Sequence, residues 1–175
     1  MALVNRDDKV AFMETTGTPS PKFTRMTKFT TFSQSKNPTE YSRRYVDEHF
    51  EQVDVVGYSP SISYAFDQHS ENPVHESIAK VHDEELIGDA ALRTVVVVDL
   101  SAESETSGSF AATKRTYAVI PDTEGDSTDA YTYSGTFRTS GSPITGTATI
   151  ATPAGGNSKD VLTVTFEEDA EDSDQ

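Results

Sequence analysis

The sequence contains no cysteine and no tryptophan, few basic residues and no long hydrophobic run. The absence of cysteine excludes disulfides, thiolate-ligated metals and a cysteine nucleophile. The 14 Lys and Arg against 29 Asp and Glu give a net charge of −15, which argues against a surface that grips nucleic-acid phosphates or anionic membranes. No apolar stretch approaches the roughly 18 residues of a membrane helix, and the start of the chain has no signal-peptide core. We therefore expect a soluble, intracellular protein.

Residues that favour β-strands are abundant instead. The 23 Thr and 19 Ser make up nearly a quarter of the 175 residues, and this length suits one domain. The unbroken run Val95–Val98 predicts a strand that is buried on both faces. Four later strands are predicted between loops rich in Gly, Pro and acids, at Phe110–Ile120, Ala130–Thr139, Ile144–Ala151 and Val161–Phe166. The predicted fold class is mainly β, an antiparallel β-sandwich or barrel.

One flanking α-helix is predicted after residue 72. Asn72 is a suitable N-cap, and Pro73 occupies the first helical position, where its missing N–H is not needed. Val74, Ile78 and Val81 follow at spacings of four and three, which places them in one apolar stripe. This stripe predicts a helix that packs on the sheet.

The domain limits follow from composition. Residues 1–22 are rich in Thr, Gly and Pro, and we expect a flexible N-terminal arm with at most a short strand near Val10–Met13. Residues 23–166 form the predicted β domain, and residues 167–175, with six acids and no base, form a predicted disordered tail. Tyr41–Val56 is interpreted as one long strand. Neither of its faces is cleanly apolar, which is typical of a strand that another subunit covers.

No motif for catalysis or for a cofactor is found, and we expect no enzyme activity, no cofactor and no bound metal. A Gly-x-Ser-x-Gly nucleophile elbow is absent. His75 and His82 lie seven residues apart, too far for a typical helical zinc pair, and are interpreted as a surface pair of titrating histidines. The loop Asp122–Asp129 resembles a calcium loop in composition. Its Gly falls at the fourth position instead of the sixth, which favours a solvated loop without metal.

Several segments resemble the major tail tube proteins of long, non-contractile-tailed phages (siphophages) of Gram-positive bacteria. The similar segments are Asn37–Glu48, Asp54–Asp67, Asn72–Ala79 and Tyr117–Gly135, and they extend over most of residues 23–150. A phage-tail-like particle or an integrated prophage would carry the same resemblance. The resemblance implies a structural virion protein that assembles in the host cytoplasm into stacked hexameric rings of the tail tube.

The resemblance also implies partners and positions. The expected partners are other copies of the chain and the tail initiator, chaperone, tape measure and terminator proteins, with no membrane. Genomic DNA would pass through the tube without specific binding, because an acidic bore repels phosphates. Asp47 and Glu51, taken as sharing one face of the long strand, would face the lumen. Lys36, Asn37 and Pro38 would contact the next ring.

A β-sandwich module that binds carbohydrate or a host surface is the alternative. Tyr117, Tyr131 and Tyr133 are its best candidates for an aromatic patch. Ordinary packing of aromatic residues across strands explains the same tyrosines.

Overall fold

The computed structural model describes residues 3–16, 21–150 and 162–169, and strands dominate these ranges. Within them the chain forms one α-helix, two short 3₁₀ helices (Arg6–Asp8 and Gly88–Ala91) and eleven strands. The strands are β1 (Lys9–Thr16), β2 (Lys22–Arg25), β3 (Phe29–Ser35), β4 (Pro38–Arg43), β5 (Gln52–Tyr58), β6 (Ser61–Asp67), β7 (Leu92–Glu103), β8 (Ser109–Glu124), β9 (Thr132–Thr139), β10 (Ile144–Ile150) and β11 (Thr163–Glu168), and helix α1 is Pro73–Asp83. The mainly β class with one helix is confirmed.

Six strands close into an antiparallel barrel in the order β8, β10, β11, β2, β1 and β7. The barrel closes because the long strand β8 has two partners on one side. Its first half pairs with β10 and its second half pairs with β9. From β9 the sheet continues through β6 to β3, so β8 belongs both to the barrel and to this extension.

Two hydrophobic cores result, one inside the barrel and one between the sheet and α1. Val96 and Val98 of β7 lie in the barrel core, whereas Val95 lies in the core under the helix. The prediction that Val95–Val98 is buried on both faces is therefore confirmed. Strand β1 alternates in the same way, with Phe12 in the barrel and Met13 under the helix.

Helix α1 begins and packs as its sequence predicts. The side-chain oxygen of Asn72 accepts hydrogen bonds from the backbone N–H groups of Val74 (3.1 Å) and His75 (3.4 Å). Val74, Ile78 and Val81 are fully buried against the sheet. No helix in the described ranges is long and apolar enough to span a membrane.

The predicted single strand over Tyr41–Val56 is wrong. The chain forms a hairpin there, in which β4 and β5 pair as a separate two-stranded sheet and residues 44–51 form the tip loop. We call residues 38–58 the exposed hairpin. The turn was missed because residues 44–51 contain no Gly, Pro or Asn, and Asp47 alone is a weak turn signal.

The predicted limits of the domain also need correction. Residues 9–16 are not an arm, because β1 lies between β2 and β7 in the barrel and both Phe12 and Met13 are buried. The strand expected near Val10–Met13 is present and longer. Glu167 and Glu168 of the predicted acidic tail belong to β11, and Glu168 forms an ion pair with Lys114 at 3.4 Å. Residues 170–175 of that tail lie outside the described residues.

Candidate assembly surface

The exposed hairpin continues the pairing of β3 with β6. Ser35 lies opposite Ser61, and after a gap of two residues on each strand Pro38 lies opposite Tyr58 in the same register. The two sheets are thus one antiparallel ribbon that is interrupted at residues 36–37 and 59–60. We call this interruption the joint.

Asn37 connects the two strands at the joint. Its backbone has a φ of +43°, in the left-handed region that asparagine tolerates better than most residues. Its side-chain amide donates hydrogen bonds to the carbonyl of Ser59 (3.0 Å) and to the hydroxyl of Ser61 (3.1 Å). The carbonyl of Asn37 accepts from the N–H of Ser59 at 3.1 Å.

The hairpin exposes apolar side chains on both faces and at its tip. Val46 is fully exposed and Phe50 is 84% exposed, while the side chains of β5 remain more than half exposed at Val53, Val55 and Val56. An isolated two-stranded hairpin is marginally stable in water, and a contiguous exposed apolar patch marks an interaction surface. The hairpin therefore has the properties of a surface that another protein covers.

A second surface of this kind is the edge strand β3. Among the described residues β3 pairs with β6 alone, so its other edge has no ladder partner. Its sequence, Phe-Thr-Thr-Phe-Ser-Gln-Ser, contains neither a charge nor a proline, the residues that commonly protect an edge. Such an edge can pair with a strand of another chain.

The residues predicted to face a lumen or a neighbouring ring lie on or beside the exposed hairpin. Asp47 and Glu51 are exposed in the tip loop, and the argument that they share one face of a strand is wrong because no strand is present there. Their lumen position stays a prediction. Lys36, Asn37 and Pro38 lie at the base of the hairpin, and the side chain of Asn37 is directed to Ser59 and Ser61 of its own chain. Contact of these three residues with a next ring also stays a prediction.

The two histidines of α1 are buried, not a surface pair. Nδ1 of His75 accepts the backbone N–H of His69 (3.1 Å), so the proton lies on Nε2, which donates to the carbonyl of Thr27 (2.9 Å). Nε2 of His82 lies 2.8 Å from the hydroxyl of Tyr64. Burial lowers the pKa of both imidazoles and favours their neutral forms. His82 thus connects the helix to β6 through Tyr64, whereas His75 is bonded to two loops and stacks its ring on Phe66 of β6, with ring centroids 4.3 Å apart.

The residues considered for a metal site and for a carbohydrate-binding patch do not form such sites in the described ranges. In the ranges that the structure describes, no cluster of His, Asp and Glu could hold a metal ion. Asp122 belongs to β8, and the carboxylate of Asp126 accepts a hydrogen bond from the hydroxyl of Thr132. Tyr117 and Tyr133 are buried, which leaves Tyr131 as the one exposed member of the proposed aromatic patch. The carbohydrate-binding alternative thus loses its candidate site.

Comparison with solved structures identifies the fold. The chain matches a protein chain in the tail of an empty GTA particle, a structure obtained by helical refinement with C6 symmetry, at a TM-score of 0.57. The sequences are 11% identical, and the match covers 79% of this chain and 96% of the other. A chain of the 6-fold symmetrised baseplate of the anti-feeding prophage matches at a TM-score of 0.46 and 10% identity, over 83% and 95% of the two chains. No protein-family model and no curated protein sequence matches. The six-stranded barrel with additional strands and one helix is the tail tube fold.

Proposed function

We propose that this chain is a tail tube subunit that forms six-membered rings, which stack into the tail of a phage or phage-like particle. The observation that carries the proposal is that a chain with the tail tube fold has two surfaces that no strand or helix of its own described residues covers. These are the exposed hairpin and the outer edge of β3. The match to a tail with C6 symmetry supports six copies in each ring.

The assignment of roles to these surfaces follows from their chemistry. The edge of β3 can form backbone hydrogen bonds with a strand of the next subunit in a ring, since it has neither charge nor proline to prevent pairing. The hairpin, with apolar residues on both faces, packs between subunits. No catalytic step is required of such a protein.

We further propose that the tail is that of a siphophage of a Gram-positive host and that DNA passes through this tail. The net charge of −15 supports a conduit that repels phosphates. Asp47 and Glu51 remain the candidates for the bore, now as members of the exposed tip loop. The initiator, chaperone, tape measure and terminator proteins of such a tail are the further partners that we propose.

Assembly can be tested by electron microscopy and sedimentation over a range of protein concentrations. Wild-type protein should form rings or tubes. The double variant Val53→Ser, Val55→Ser removes exposed apolar area from one face of the hairpin. It should raise the concentration needed for assembly by roughly 10- to 150-fold, because the two half-exposed valines together have about as much area left to bury as one whole valine, which contributes about 1.5–3 kcal/mol.

The matched control is Ile87→Ser, which removes an apolar side chain outside the hairpin and β3 that is more exposed (85%) than either valine. It should assemble like the wild type, and all three proteins should melt at the same temperature within error. Wild-type protein that stays monomeric at every concentration, even with tail initiator components, would contradict the proposed function.

The conduit can be tested on assembled tubes. Wild-type tubes should not retain DNA at physiological salt. Replacing Asp47 and Glu51 by Lys should leave the tubes intact and give salt-dependent DNA retention, because cations then replace anions in every copy. Intact tubes that still do not retain DNA would place these two side chains away from the bore.

A further inference from the structure

The joint between the exposed hairpin and the body of the protein has few backbone connections. Residues 36–37 and 59–60 are missing from the ladder pairs of both sheets. Pro60 has no N–H to donate, and Asn37 has a left-handed backbone that leaves the extended path of a strand. In the described ranges β4 and β5 pair only with each other. The direction of the hairpin therefore depends on the contacts at the joint.

Asn37 supplies three of these contacts. Two are donated by its side-chain amide, one to the hairpin side at Ser59 and one to the body side at Ser61. The third is the bond from the N–H of Ser59 to its carbonyl. The body side is anchored further, because the carbonyl of the buried Pro60 accepts a hydrogen bond from the backbone N–H of Thr139 in β9. The amide of Asn37 thus fastens Ser59, the joint residue that follows the hairpin, and Ser61 of the body to the same point.

We propose that Asn37 is a positioning residue that fixes the direction in which the exposed hairpin leaves the body, and that assembly depends on its amide while folding of the body does not. The assembly part of this inference rests on the proposed function. The physical reason is entropic. A hairpin that is held in one direction before assembly loses less conformational freedom when it packs against another subunit than a hairpin whose direction relative to the body varies. Loss of the amide would leave the ribbon paired on both sides of the joint and free to bend between them.

The positioning role can be tested on the monomer. The chain has no native cysteine, so spin labels can be placed at Val46→Cys in the tip loop and Glu76→Cys on the exposed side of α1 without background. Double electron–electron resonance should give a single narrow distance distribution in the otherwise wild-type protein. Asn37→Gly keeps the left-handed backbone accessible and removes the amide. It should broaden the distribution at least twofold.

Two further variants separate the amide from the backbone. Asn37→Asp keeps the size and the tolerance for positive φ but replaces the bond to the carbonyl of Ser59 by repulsion between two acceptors, and it should broaden the distribution as well even though the hydroxyl of Ser61 can still donate to the carboxylate. Lys28→Gly replaces another residue with positive φ (62°) outside the joint and should leave the distribution narrow. Distributions as narrow as the wild type in both Asn37 variants would overturn the positioning role. Broadening in the Lys28 variant as well would also overturn it, because the effect would then not be specific to the joint.

Assembly provides the second readout. Asn37→Gly should melt within a few degrees of the wild type and should need roughly tenfold more protein to form rings, as expected for two hydrogen bonds of ordinary strength. Unchanged assembly of this variant would overturn the link between hairpin direction and assembly. If wild-type protein forms no rings, the proposed function fails. The resonance measurement on the monomer still decides whether Asn37 positions the hairpin.

Discussion

Gly135 of β9 allows a sharp test of how the sheet is packed. A Cβ at this position would lie 2.4 Å from the carbonyl oxygen of Ile120 and 2.6 Å from the hydroxyl of Tyr64. The carbonyl belongs to β8, which pairs with β9 at this point, so it cannot move without loss of the ladder. Tyr64 is fully buried and its hydroxyl is bound to His82 at 2.8 Å. Gly135→Ala must therefore displace Tyr64 or open the sheet.

The expected loss of stability has two parts. Forcing an extra methyl group into a packed core costs about 1–3 kcal/mol, and loss of the Tyr64–His82 hydrogen bond adds about 1 kcal/mol. The free energy of unfolding should fall by about 2–4 kcal/mol, which corresponds to a decrease in melting temperature of roughly 5–15 °C for a protein of this size.

The matched control is Gly57→Ala in β5, where the nearest atoms to a new Cβ lie 3.9 Å away on the side chain of Thr39. This variant should be as stable as the wild type or slightly more stable, because alanine restricts the unfolded chain. Thermal and urea unfolding, monitored by circular dichroism, give both quantities. A Gly135→Ala melting temperature within about 1 °C of that of Gly57→Ala would refute the packing argument, because the difference worked out above is several times larger.

Three other predictions concern the helix and the barrel. Burial lowers the pKa of His75 from its ordinary 6.5, so stability that is present above this pH should be lost as the pH falls and the unfolded chain takes up the proton first. His75→Gln should flatten the dependence of the unfolding free energy on pH by up to about 1.4 kcal/mol per pH unit just below pH 6.5, and an unchanged slope would contradict the assignment. Asn72→Ala should cost about 1 kcal/mol in urea unfolding, whereas Asn72→Ser, which keeps a capping oxygen, should cost only a small part of this; equal losses would argue against the cap. Phe12→Ala in the barrel core should cost about 3–5 kcal/mol and Phe50→Ala in the tip loop less than about 0.5 kcal/mol, and similar values for the two would contradict the assignment of β1 to the barrel.

The parts of the fold that the sequence predicts are those with local signals. The cap at Asn72, the proline at position 73 and the stripe through Val81 are all contained in one short segment, and the helix begins where they indicate. The later strands lie between turn-forming loops, and the structure places them within a few residues of their predicted limits. In the run Val95–Val98 all four residues are apolar, so the sequence itself indicates that both faces of the strand are buried.

The parts that the sequence does not predict depend on what surrounds a segment. In β1, Phe12 faces the barrel core and Met13 faces the core under the helix. Because both faces of the strand are buried, apolar and polar residues do not alternate, and the sequence pattern could not distinguish a strand from a flexible arm. Burial of His75 depends on the carbonyl of Thr27, which another loop brings to the helix. The tip loop of the exposed hairpin has only Asp47 as a turn-forming residue, so two short strands were interpreted as one long strand. The absence of a cleanly apolar face in Tyr41–Val56 correctly indicated that this segment is not covered by its own chain.

The pairing of β2 with β11 determines when the barrel can close during folding. Thr24 lies opposite Thr163, a separation of about 140 residues, and contacts this distant in sequence are typical of proteins that fold in milliseconds to seconds. The pairing of β3, β6, β8 and β9 uses residues that are all synthesised earlier. On the ribosome, β2 must therefore wait for β11, with the aromatic ring of Phe23 unprotected on its side of the barrel, for roughly 7–28 s at synthesis rates of about 5–20 residues per second. Barrel closure is then the last step of folding, and the interval before it is when the newly made chain is most exposed to aggregation.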